Sequence, residues 1–362
     1  MNGIAPFVLL HQPRIVAAPP GLSWWVACRN VSWEDLPLLH PIQTVEVGRE
    51  TLAEIHPDGQ FQTEIPLIAA IREVVQAYRR DRFTLQLSSG EFSLGPAPLL
   101  VGVLNVTPDS FYDGGGSPQP AQAIEKGERL AAAGADWIDV GGESTRPGAE
   151  PVAAQAELDR ALPVIEALSK RISAPISIDT MKAEVAAAAV RAGASVVNDV
   201  SGLRADPEMA KTVASLGVPA IVNHMRGTPA TMQDGPRYAD PLAEILEELR
   251  ESVDRGLRAG ISAHKIIADP GFGFGKRPED NLAVLRRFHE LRSLGLPLMA
   301  GVSRKSFLGK VLDGRPPENR LFGTAAAVAL AVVGGARLLR VHDPAEMRDV
   351  ARVAAAVVAG IA

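Results

Sequence analysis

The chain has 362 residues, of which 46% are hydrophobic, 22% charged and 5% aromatic, so it can bury one large core or two smaller ones. The net charge of −5 and the lack of a basic run argue against nucleic acid as a partner. Cys28 is the single cysteine, which excludes an internal disulfide and a cysteine-rich zinc site. A single cysteine is typical of a protein in a reducing compartment, and the N-terminal residues do not resemble a secretory signal. We therefore predict a cytoplasmic location.

The first part of the chain has the weakest pattern. Residues 1–62 show no repeat and no clear periodicity, whereas residues 63–80 fit one amphipathic helix. Three tryptophans are expected to anchor a core here, namely Trp24, Trp25 and Trp33. Residues 1–81 are therefore interpreted as an N-terminal extension of unknown role. Residues 82–95 alternate apolar and polar side chains around a Ser-Ser-Gly turn, which predicts a β-hairpin.

Strand-like and helical patterns alternate from Leu99 onward. The predicted strands are 99–104, 136–141, 175–178, 195–198, 218–223, 265–268, 297–301 and 337–341. Several of the intervening helices are expected to end at glycine caps, at Gly134, Gly193, Gly217 and Gly260. Eight strand–helix units in about 260 residues predict an α/β fold, a (β/α)8 TIM barrel over residues 82–362 whose open bottom the hairpin covers. A doubly wound open sheet is the rival fold.

One long segment is low in charge. Leu321 to Leu339 is interrupted by Gly334 and Gly335, so we interpret it as a buried helix of small residues followed by a strand. A membrane span is not predicted.

Polar or charged side chains follow every predicted strand. They are Asn105; Glu143, Ser144, Thr145 and Arg146; Asp179; Asn198 and Asp199; Asn223 and His224; Asp269; Ser303, Arg304 and Lys305; and Arg340 and His342. Any one of them could be a helix cap or a turn residue. Because the carboxyl ends of barrel strands meet at one rim, all eight together favour a binding site there.

The residue types on this rim indicate which class of ligand it binds. Asp179, Asn198 and Asp269 offer carboxylates and an amide, which suit the N–H edge of a planar heterocycle. The last two strands contribute Ser303, Arg304, Lys305, Arg340 and His342, where barrels commonly bind phosphate. For Arg340 the alternative is a surface ion pair, and for His342 a structural role.

Two glycine-rich loops complete the predicted site. Asn105, Asp109 and Asp113 offer hard oxygen ligands that suit Mg²⁺ on a diphosphate, although Asp109 could equally belong to a Pro-Asp turn. The glycines 114–116 that follow are typical of a mobile lid. In the second loop Phe274 lies between glycines, so it is expected to face a ligand.

Eight motifs in order resemble the dihydropteroate synthase family over residues 82–360. They are `LNVTPDSFYDGG`, `DVGGESTRPGAEPV`, `ISIDT`, `VNDVSG`, `NHMRG`, `IIADPGFGFGK`, `GVSRKSFLG` and `RVHD`. The resemblance implies a Mg²⁺-assisted transferase, usually a homodimer. It would join 6-hydroxymethyl-7,8-dihydropterin diphosphate to p-aminobenzoate, giving dihydropteroate and pyrophosphate for folate synthesis.

The resemblance also implies roles for individual residues. The pterin would be held by Asp179, Asn198, Asp269 and Lys305, with Met225 against the ring. Diphosphate and Mg²⁺ would be bound by Asn105, Arg340 and His342. The p-aminobenzoate would be received by Thr145, Arg146, Pro147, Phe274, Lys305 and Ser306. Asp109 and Asp113 would lie on the first mobile loop, and we take them with Lys305 and Arg340 as the catalytic residues.

Two other functions remain open at this point. A pterin-dependent methyltransferase also uses a pterin-binding barrel, but it would not need the cations of `SRKS` and `RVHD`. A silent paralogue could bind pterin without turnover, and the intact Asn105, Asp113, Lys305 and Arg340 argue against it.

Overall fold

The structure, a computed structural model, describes residues 14–17, 24–29, 44–47, 50–55, 66–87, 90–107 and 120–360. Most of this part of the chain forms a barrel of eight parallel strands with helices outside it. The predicted (β/α)8 barrel is thereby confirmed. The rival open sheet is excluded because the last strands pair back onto the first.

The N-terminal part contains an antiparallel sheet that the sequence did not predict. Its strands are β1 (Arg14–Ala17), β2 (Trp24–Arg29), β3 (Thr44–Val47) and β4 (Glu50–Ile55), in the order β1-β2-β4-β3. Trp24 and Trp25 begin β2, and Trp33 lies outside the described residues. β1, β3 and β4 each contain a charged residue and so lack the apolar runs that predict the barrel strands. The predicted helix is present as α1 (Pro66–Arg79).

The predicted hairpin closes the bottom of the barrel. It consists of β5 (Phe83–Leu87) and β6 (Gly90–Leu94). Its buried Leu85, Leu87 and Leu94 pack against the lower interior of the barrel, formed by Val101, Trp137, Val196, Ile221, Ile267, Met299 and Leu338. This contact removes apolar surface from water at the end where the strands begin.

All eight predicted barrel strands are present. They are β7 (Leu99–Asn105), β8 (Trp137–Gly141), β9 (Ile176–Asp179), β10 (Val196–Asp199), β11 (Ala220–Asn223), β12 (Ile266–Asp269), β13 (Met299–Ala300) and β14 (Leu338–Val341). They pair in parallel from β7 to β12, and β14 pairs with both β7 and β13. A parallel bridge between Ala268 and Leu298 joins β12 to β13 and completes the circle.

The helices form the outer layer. They are α2 (Pro120–Ala132), α3 (Ala154–Leu168), α4 (Ala183–Arg191), α5 (Met209–Leu216), α6 (Pro241–Arg258), α7 (Pro278–Arg286), α8 (Ser306–Val311), α9 (Leu321–Val333) and α10 (Pro344–Ala359). Their apolar faces and the outward side chains of the strands make one large core. The glycines predicted as helix caps have positive φ, for example +66° at Gly217, the C-cap of α5.

Inside the barrel, apolar and polar side chains lie in separate layers. Side chains on a strand alternate between the two faces, so every second residue points inward. In three strands the inward residue that follows the apolar one is polar. Asp139 follows Trp137, Asn198 follows Val196 and Arg340 follows Leu338, each two residues further along its strand. The polar layer is therefore nearer the carboxyl ends of the strands.

The N-terminal part packs on the outside of the barrel. β1 and α1 lie against the 3₁₀ turn Phe288–Leu294. The Ile15 amide donates to Ser293 Oγ at 3.0 Å, and Arg80 Nη1 donates to the Gly295 carbonyl at 3.0 Å. The buried Arg14 guanidinium is 2.8 Å from Glu290 Oε2.

The low-charge segment forms α9 followed by β14, as predicted. The expectation of a buried helix was only half right, because one face of α9 packs in the core and the other exposes Phe322, Leu330 and Val333. Within the described ranges, no helix combines the length and the apolar character needed to cross a bilayer.

Candidate active site

A buried carboxylate, Asp139, organises the centre of the polar layer. Its Oδ1 accepts a hydrogen bond from Ser177 Oγ at 2.5 Å. Its Oδ2 accepts from Arg340 Nε at 2.6 Å and from Asn198 Nδ2 at 3.1 Å. Sequence reasoning missed Asp139 because it lies inside strand β8 and not at its end. The signal available was a carboxylate in an otherwise apolar strand, `WIDVG`.

Asp179 lies beside this centre. Arg340 Nη2 donates to Asp179 Oδ2 at 2.8 Å, so one guanidinium joins the carboxylates of β8 and β9. Asp179 Oδ1 is buried, and nothing in the described part of the chain donates a hydrogen bond to it. Burial raises the pKa of Asp179, and Arg340 opposes that rise. A buried oxygen of this kind is suited to receive an N–H of a ligand.

An amide pair continues the layer. Asn223 Nδ2 donates to Asn198 Oδ1 at 2.8 Å, while Asn198 itself donates to Asp139. Both amides are buried. This network fixes which end of the Asn198 amide is oxygen, and so which groups remain for a ligand. Asn223 was noted at a strand end, but its link to Asn198 was not predicted.

Asp269 and Lys305 form the next part of the rim. The Gly271 amide donates to Asp269 Oδ1 at 2.7 Å. Burial raises the pKa of Asp269 to about 6, with that amide and Lys305 acting in the opposite direction. Burial and the nearby Arg340 lower the pKa of Lys305 to about 8. Lys305 Nζ lies 4.2 Å from the centroid of the Phe274 ring, which brings together two residues predicted for the p-aminobenzoate side.

An apolar wall adjoins these groups. Met225 and Phe274 are buried in one cluster with Val200 and Met232, and Met181 packs against it. Met225 also lines a cavity of about 360 Å³. The cavity lies between the loops after β8, β10 and β11, and its lining includes Ser144, Arg204 and Pro229. Met225 and Phe274, both expected to face a ligand, therefore lie together in one apolar cluster.

The loop after β8 carries Thr145, Arg146 and Pro147. Arg146 and Pro147 are exposed, and Thr145 is half-buried. The next residue, Gly148, donates its amide to the Pro229 carbonyl at 2.9 Å, so the tip of this loop rests on the loop after β11. At the base, Lys182 Nζ binds the carboxylates of Glu143 at 2.5 Å and Glu157 at 2.7 Å, an anchor that the sequence did not reveal.

His342 and Ser303 meet at the ends of β14 and β13. Ser303 Oγ lies 3.0 Å from His342 Nδ1 and 3.2 Å from its backbone nitrogen. Burial and Arg340 lower the pKa of His342 to about 3, so the imidazole is neutral. Arg304, expected on the phosphate side, pairs with Asp343, with Arg304 Nε 3.0 Å from Asp343 Oδ2. Ser306 is exposed at the start of α8.

Of the three residues that offer oxygen ligands for Mg²⁺, Asn105, Asp109 and Asp113, the structure describes only Asn105. Asn105 ends β7 opposite Gly141, and its Oδ1 and the Asp179 side chain both lie within 4 Å of the place that a Cβ on Gly141 would take. Asp109, Asp113 and the glycines 114–116 lie outside the described residues. In the described ranges no three His, Cys, Asp or Glu residues come together as a metal site. Mg²⁺ commonly takes one or two protein oxygens and completes its shell with water and substrate phosphates, so Asn105 fits such a role.

Comparison with known proteins identifies the family. Residues 101–342 match the family model described as pterin binding enzyme. The dihydropteroate synthase of Synechocystis is 44% identical over 276 residues, covering 76% of this chain and 96% of the relative. The enzyme of Escherichia coli K12 is 43% identical, covering 71% of this chain and 90% of its own. The chain belongs to the dihydropteroate synthase family of pterin-binding enzymes.

Solved structures of the family agree with this assignment. The Xanthomonas albilineans dihydropteroate synthase with 4-aminobenzoic acid has a TM-score of 0.72 and 44% identity, covering 76% of this chain and 98% of that one. The same enzyme in complex with 7,8-dihydropteroate has a TM-score of 0.68 and 41% identity over the same shares. Membership makes this chain a transferase of folate synthesis, as the motifs implied.

Proposed function

We propose that this chain performs the reaction for which its family is named. It condenses 6-hydroxymethyl-7,8-dihydropterin diphosphate with p-aminobenzoate and releases 7,8-dihydropteroate and pyrophosphate. The observation that carries the proposal is the buried Asp179 Oδ1, without a donor in the described chain, beside Asn198, Asp269 and Arg340 on one rim. Relatives 41% and 44% identical have been solved with 7,8-dihydropteroate and 4-aminobenzoic acid.

Recognition of the pterin follows from the acceptors. A dihydropterin presents several N–H donors along one edge, and Asp179, Asn198 and Asp269 offer acceptor oxygens from β9, β10 and β12. Met225 forms part of the wall against which the ring packs. Lys305 has its ammonium near Asp269 and the ring of Phe274, at the edge of this pocket.

The chemistry depends on the leaving group. When the C–O bond to diphosphate breaks, positive charge develops on the electron-rich dihydropterin. The buried carboxylates of Asp139, Asp179 and Asp269 stabilise that charge because they are fixed before the reaction. Arg340 would bind the departing pyrophosphate through N–H groups other than those that bind Asp139 and Asp179, and the neutral His342 would contribute a hydrogen bond without a charge.

The second substrate needs positioning more than activation. The aromatic amine of p-aminobenzoate is weakly basic, so it is uncharged at neutral pH and needs no dedicated general base. Phe274, Lys305 and Ser306 receive it on one side, and the loop that carries Thr145, Arg146 and Pro147 covers it on the other. We expect ordered binding, in which the diphosphate draws in this loop and the loop of Asp109 and Asp113.

Mg²⁺ is part of the proposal. Asn105 would hold it together with the substrate's diphosphate. When bound, the ion neutralises charge on the departing pyrophosphate. Residues 82–362 form the catalytic unit, and residues 1–81 are an extension to it. The cytoplasm is the proposed location.

A homodimer is proposed from an exposed apolar face. On α9, Phe322 is 82% exposed, together with Leu330 and Val333. On the neighbouring α10, Val353 and Val357 are also exposed. Monomeric proteins rarely expose a large apolar surface. Since the family resemblance implies a homodimer, we propose that a second copy of this chain covers this face. Phe322→Asp would give a monomer in light scattering, whereas Arg315→Asp would leave the dimer intact.

The decisive experiment measures pyrophosphate release from the purified full chain. Release must require the pterin diphosphate, p-aminobenzoate and Mg²⁺ together. Release without p-aminobenzoate, or none with all three, would contradict the proposal. Methyl transfer to a corrinoid would instead identify a methyltransferase. Failure to complement a strain without the synthase, despite tight pterin binding, would identify a silent paralogue.

A further inference from the structure

A buried ammonium lies behind the glycine-rich loop that follows β12. Lys276 is 2% exposed. Its Nζ lies 2.8 Å from His224 Nδ1 and 3.0 Å from the carbonyl oxygens of Gly271 and Phe274. The His224 carbonyl is a further acceptor at 3.4 Å. A buried charge with so many acceptors is tightly held, because each bond offsets part of its lost hydration.

These bonds determine the protonation of the neighbouring imidazole. The Glu248 carboxylate can only accept a hydrogen bond, so His224 Nε2 carries the ring proton and Nδ1 of the neutral ring is left as an acceptor for Lys276 Nζ. His224 Nε2 then donates to Glu248 Oε2 at 2.9 Å. Burial and Lys276 lower the pKa of His224 to about 3, in keeping with a neutral ring. Burial lowers the pKa of Lys276 to about 7, and Asp269 and Glu248 oppose that shift.

The loop in front of Lys276 is pressed against the chain after β11. Gly271, Gly273 and Gly275 have φ values of +66°, +84° and +60°. A Cβ atom on Gly271 would lie 1.9 Å from the His224 carbonyl oxygen, and one on Gly275 would lie 2.5 Å from that of Arg226. The glycines therefore permit the close approach, and their backbone turns two carbonyls toward the ammonium.

The same loop carries groups that face the rim. The Gly271 amide binds Asp269 Oδ1 at 2.7 Å. The Phe274 ring, whose own carbonyl is bound by Lys276, lies under the ammonium of Lys305 at 4.2 Å. Lys276 therefore binds the carbonyls of two residues that lie next to rim groups. Gly271 binds Asp269 through its amide, and Phe274 itself contributes its ring.

We propose that Lys276 is a positioning residue for the condensation, fixing through the carbonyls of Gly271 and Phe274 the loop that sets the p-aminobenzoate side of the site. The His224–Glu248 pair holds the ammonium in place from behind. The inference rests on the proposed function, because the position of Phe274 matters only if the site takes an aromatic second substrate. Lys276 itself does not touch the substrates.

The test compares Lys276→Met with Lys310→Met in the full-length protein. Lys310 is an exposed lysine on α8 and is the matched control. In Lys276→Met we expect the KM for p-aminobenzoate to rise about tenfold or more, because a displaced Phe274 loses its contact with the bound second substrate in the ground state as well as in the transition state. The affinity for a pterin analogue should change less, since Asp179 and Asn198 lie on other strands. Lys310→Met should match the parent protein.

The outcomes separate the two proposals. If the parent protein releases no pyrophosphate, the proposed function fails. If the parent turns over and Lys276→Met lowers only kcat, with the KM for p-aminobenzoate within about twofold, the role is merely structural and the inference is overturned. Should Lys276→Met not fold, ¹⁵N NMR of the His224 ring in the parent protein decides. The Nε2–H tautomer at neutral pH supports the inference, and the Nδ1–H tautomer overturns it.

Discussion

The two carboxylate oxygens of Asp179 have different surroundings. One carboxylate oxygen is committed to Arg340, while the other is buried without a donor in the described chain. Leaving a buried acceptor unsatisfied costs about 1–3 kcal/mol, which a ligand N–H returns on binding. The free protein therefore holds this oxygen ready at the expense of its own stability.

Asp179→Asn should weaken binding of a pterin analogue by about tenfold to one-hundredfold, because the amide has only one acceptor oxygen and no charge. Isothermal titration calorimetry measures this change. Asp159→Asn, on the exposed face of α3, is the control and should bind as the parent protein does. An Asp179→Asn protein with unchanged affinity would contradict the role of Asp179 in pterin binding.

We expect Asp269 to make pterin binding dependent on pH. Its pKa is raised to about 6 by burial, so the carboxylate becomes protonated as the pH falls through 6 and loses acceptor strength. We expect the Kd of a pterin analogue to rise up to about tenfold per pH unit below that point. The Asp269→Asn protein should bind more weakly at pH 7 and show no inflection near pH 6. An inflection that survives this substitution belongs to another group.

The raised pKa of Asp269 also makes the free energy of unfolding depend on pH. The native state holds the proton of Asp269 up to about pH 6, whereas the unfolded chain releases it near pH 4. The native state therefore binds more protons between these values, and Asp269 lowers the free energy of unfolding as the pH rises from 4 to 6. The buried, ionised Asp269 therefore has a cost in stability at neutral pH.

At the scale of elements, the loop from Gly271 to Gly275 is determined by contacts with a different part of the chain. Its shape follows the backbone of residues 224–226, which it touches so closely that side chains are excluded. α6 supports that backbone from outside, since Glu248 binds both His224 and Arg226. Asp240 caps the start of α6, because its carboxylate accepts from the amides of Leu242 and Ala243.

Gly271→Ala should lower the free energy of unfolding by more than about 3 kcal/mol, because the added Cβ meets the His224 carbonyl oxygen and the φ is +66°. Gly235→Ala is a matched control, since Gly235 has a φ of +65° and open space around it. It should cost only about 1 kcal/mol, from backbone strain alone. Equal losses for the two variants in urea denaturation would show that the close approach is not important.

At the scale of the whole molecule, the N-terminal part is attached by a buried charge cluster. Arg14 binds Glu290 at 2.8 Å and lies 3.6 Å from Asp240, and Arg287 binds both of these carboxylates. Arg14 and Glu290 are almost fully buried. Since Asp240 caps α6 and Glu290 lies in the turn before β13, the cluster ties the extension to two segments of the barrel.

Arg14→Met should lower the free energy of unfolding by about 2 kcal/mol, because it leaves the Glu290 charge buried with one partner fewer. The kcat and KM should remain within about twofold of the parent values, since the partners of Arg14 belong to the outer layer. Arg171→Met removes an exposed pair with Glu128 and should change stability by less than about 0.5 kcal/mol. A stable Arg14→Met protein with impaired turnover would instead link the extension to catalysis.

Many features of this protein could be predicted because they are encoded locally. Apolar runs of four to six residues predicted the eight barrel strands, and the polar residue at the end of each run indicated the rim. The short strands of the N-terminal sheet lacked such a pattern, since their stability depends on pairing with distant strands. Asp139 was missed although the two-residue alternation that brings it inward from Trp137 was readable.

The sequence by itself determined the barrel, its polar rim and the family, because strand periodicity and motif order do not depend on distant contacts. Only the tertiary structure decided which side chains meet. Arg340 binds a carboxylate 201 residues away, Lys276 binds an imidazole 52 residues before it, and Arg14 pairs with Glu290 across 276 residues. Such pairs depend on strand register and barrel closure, which bring together groups with no relation along the chain.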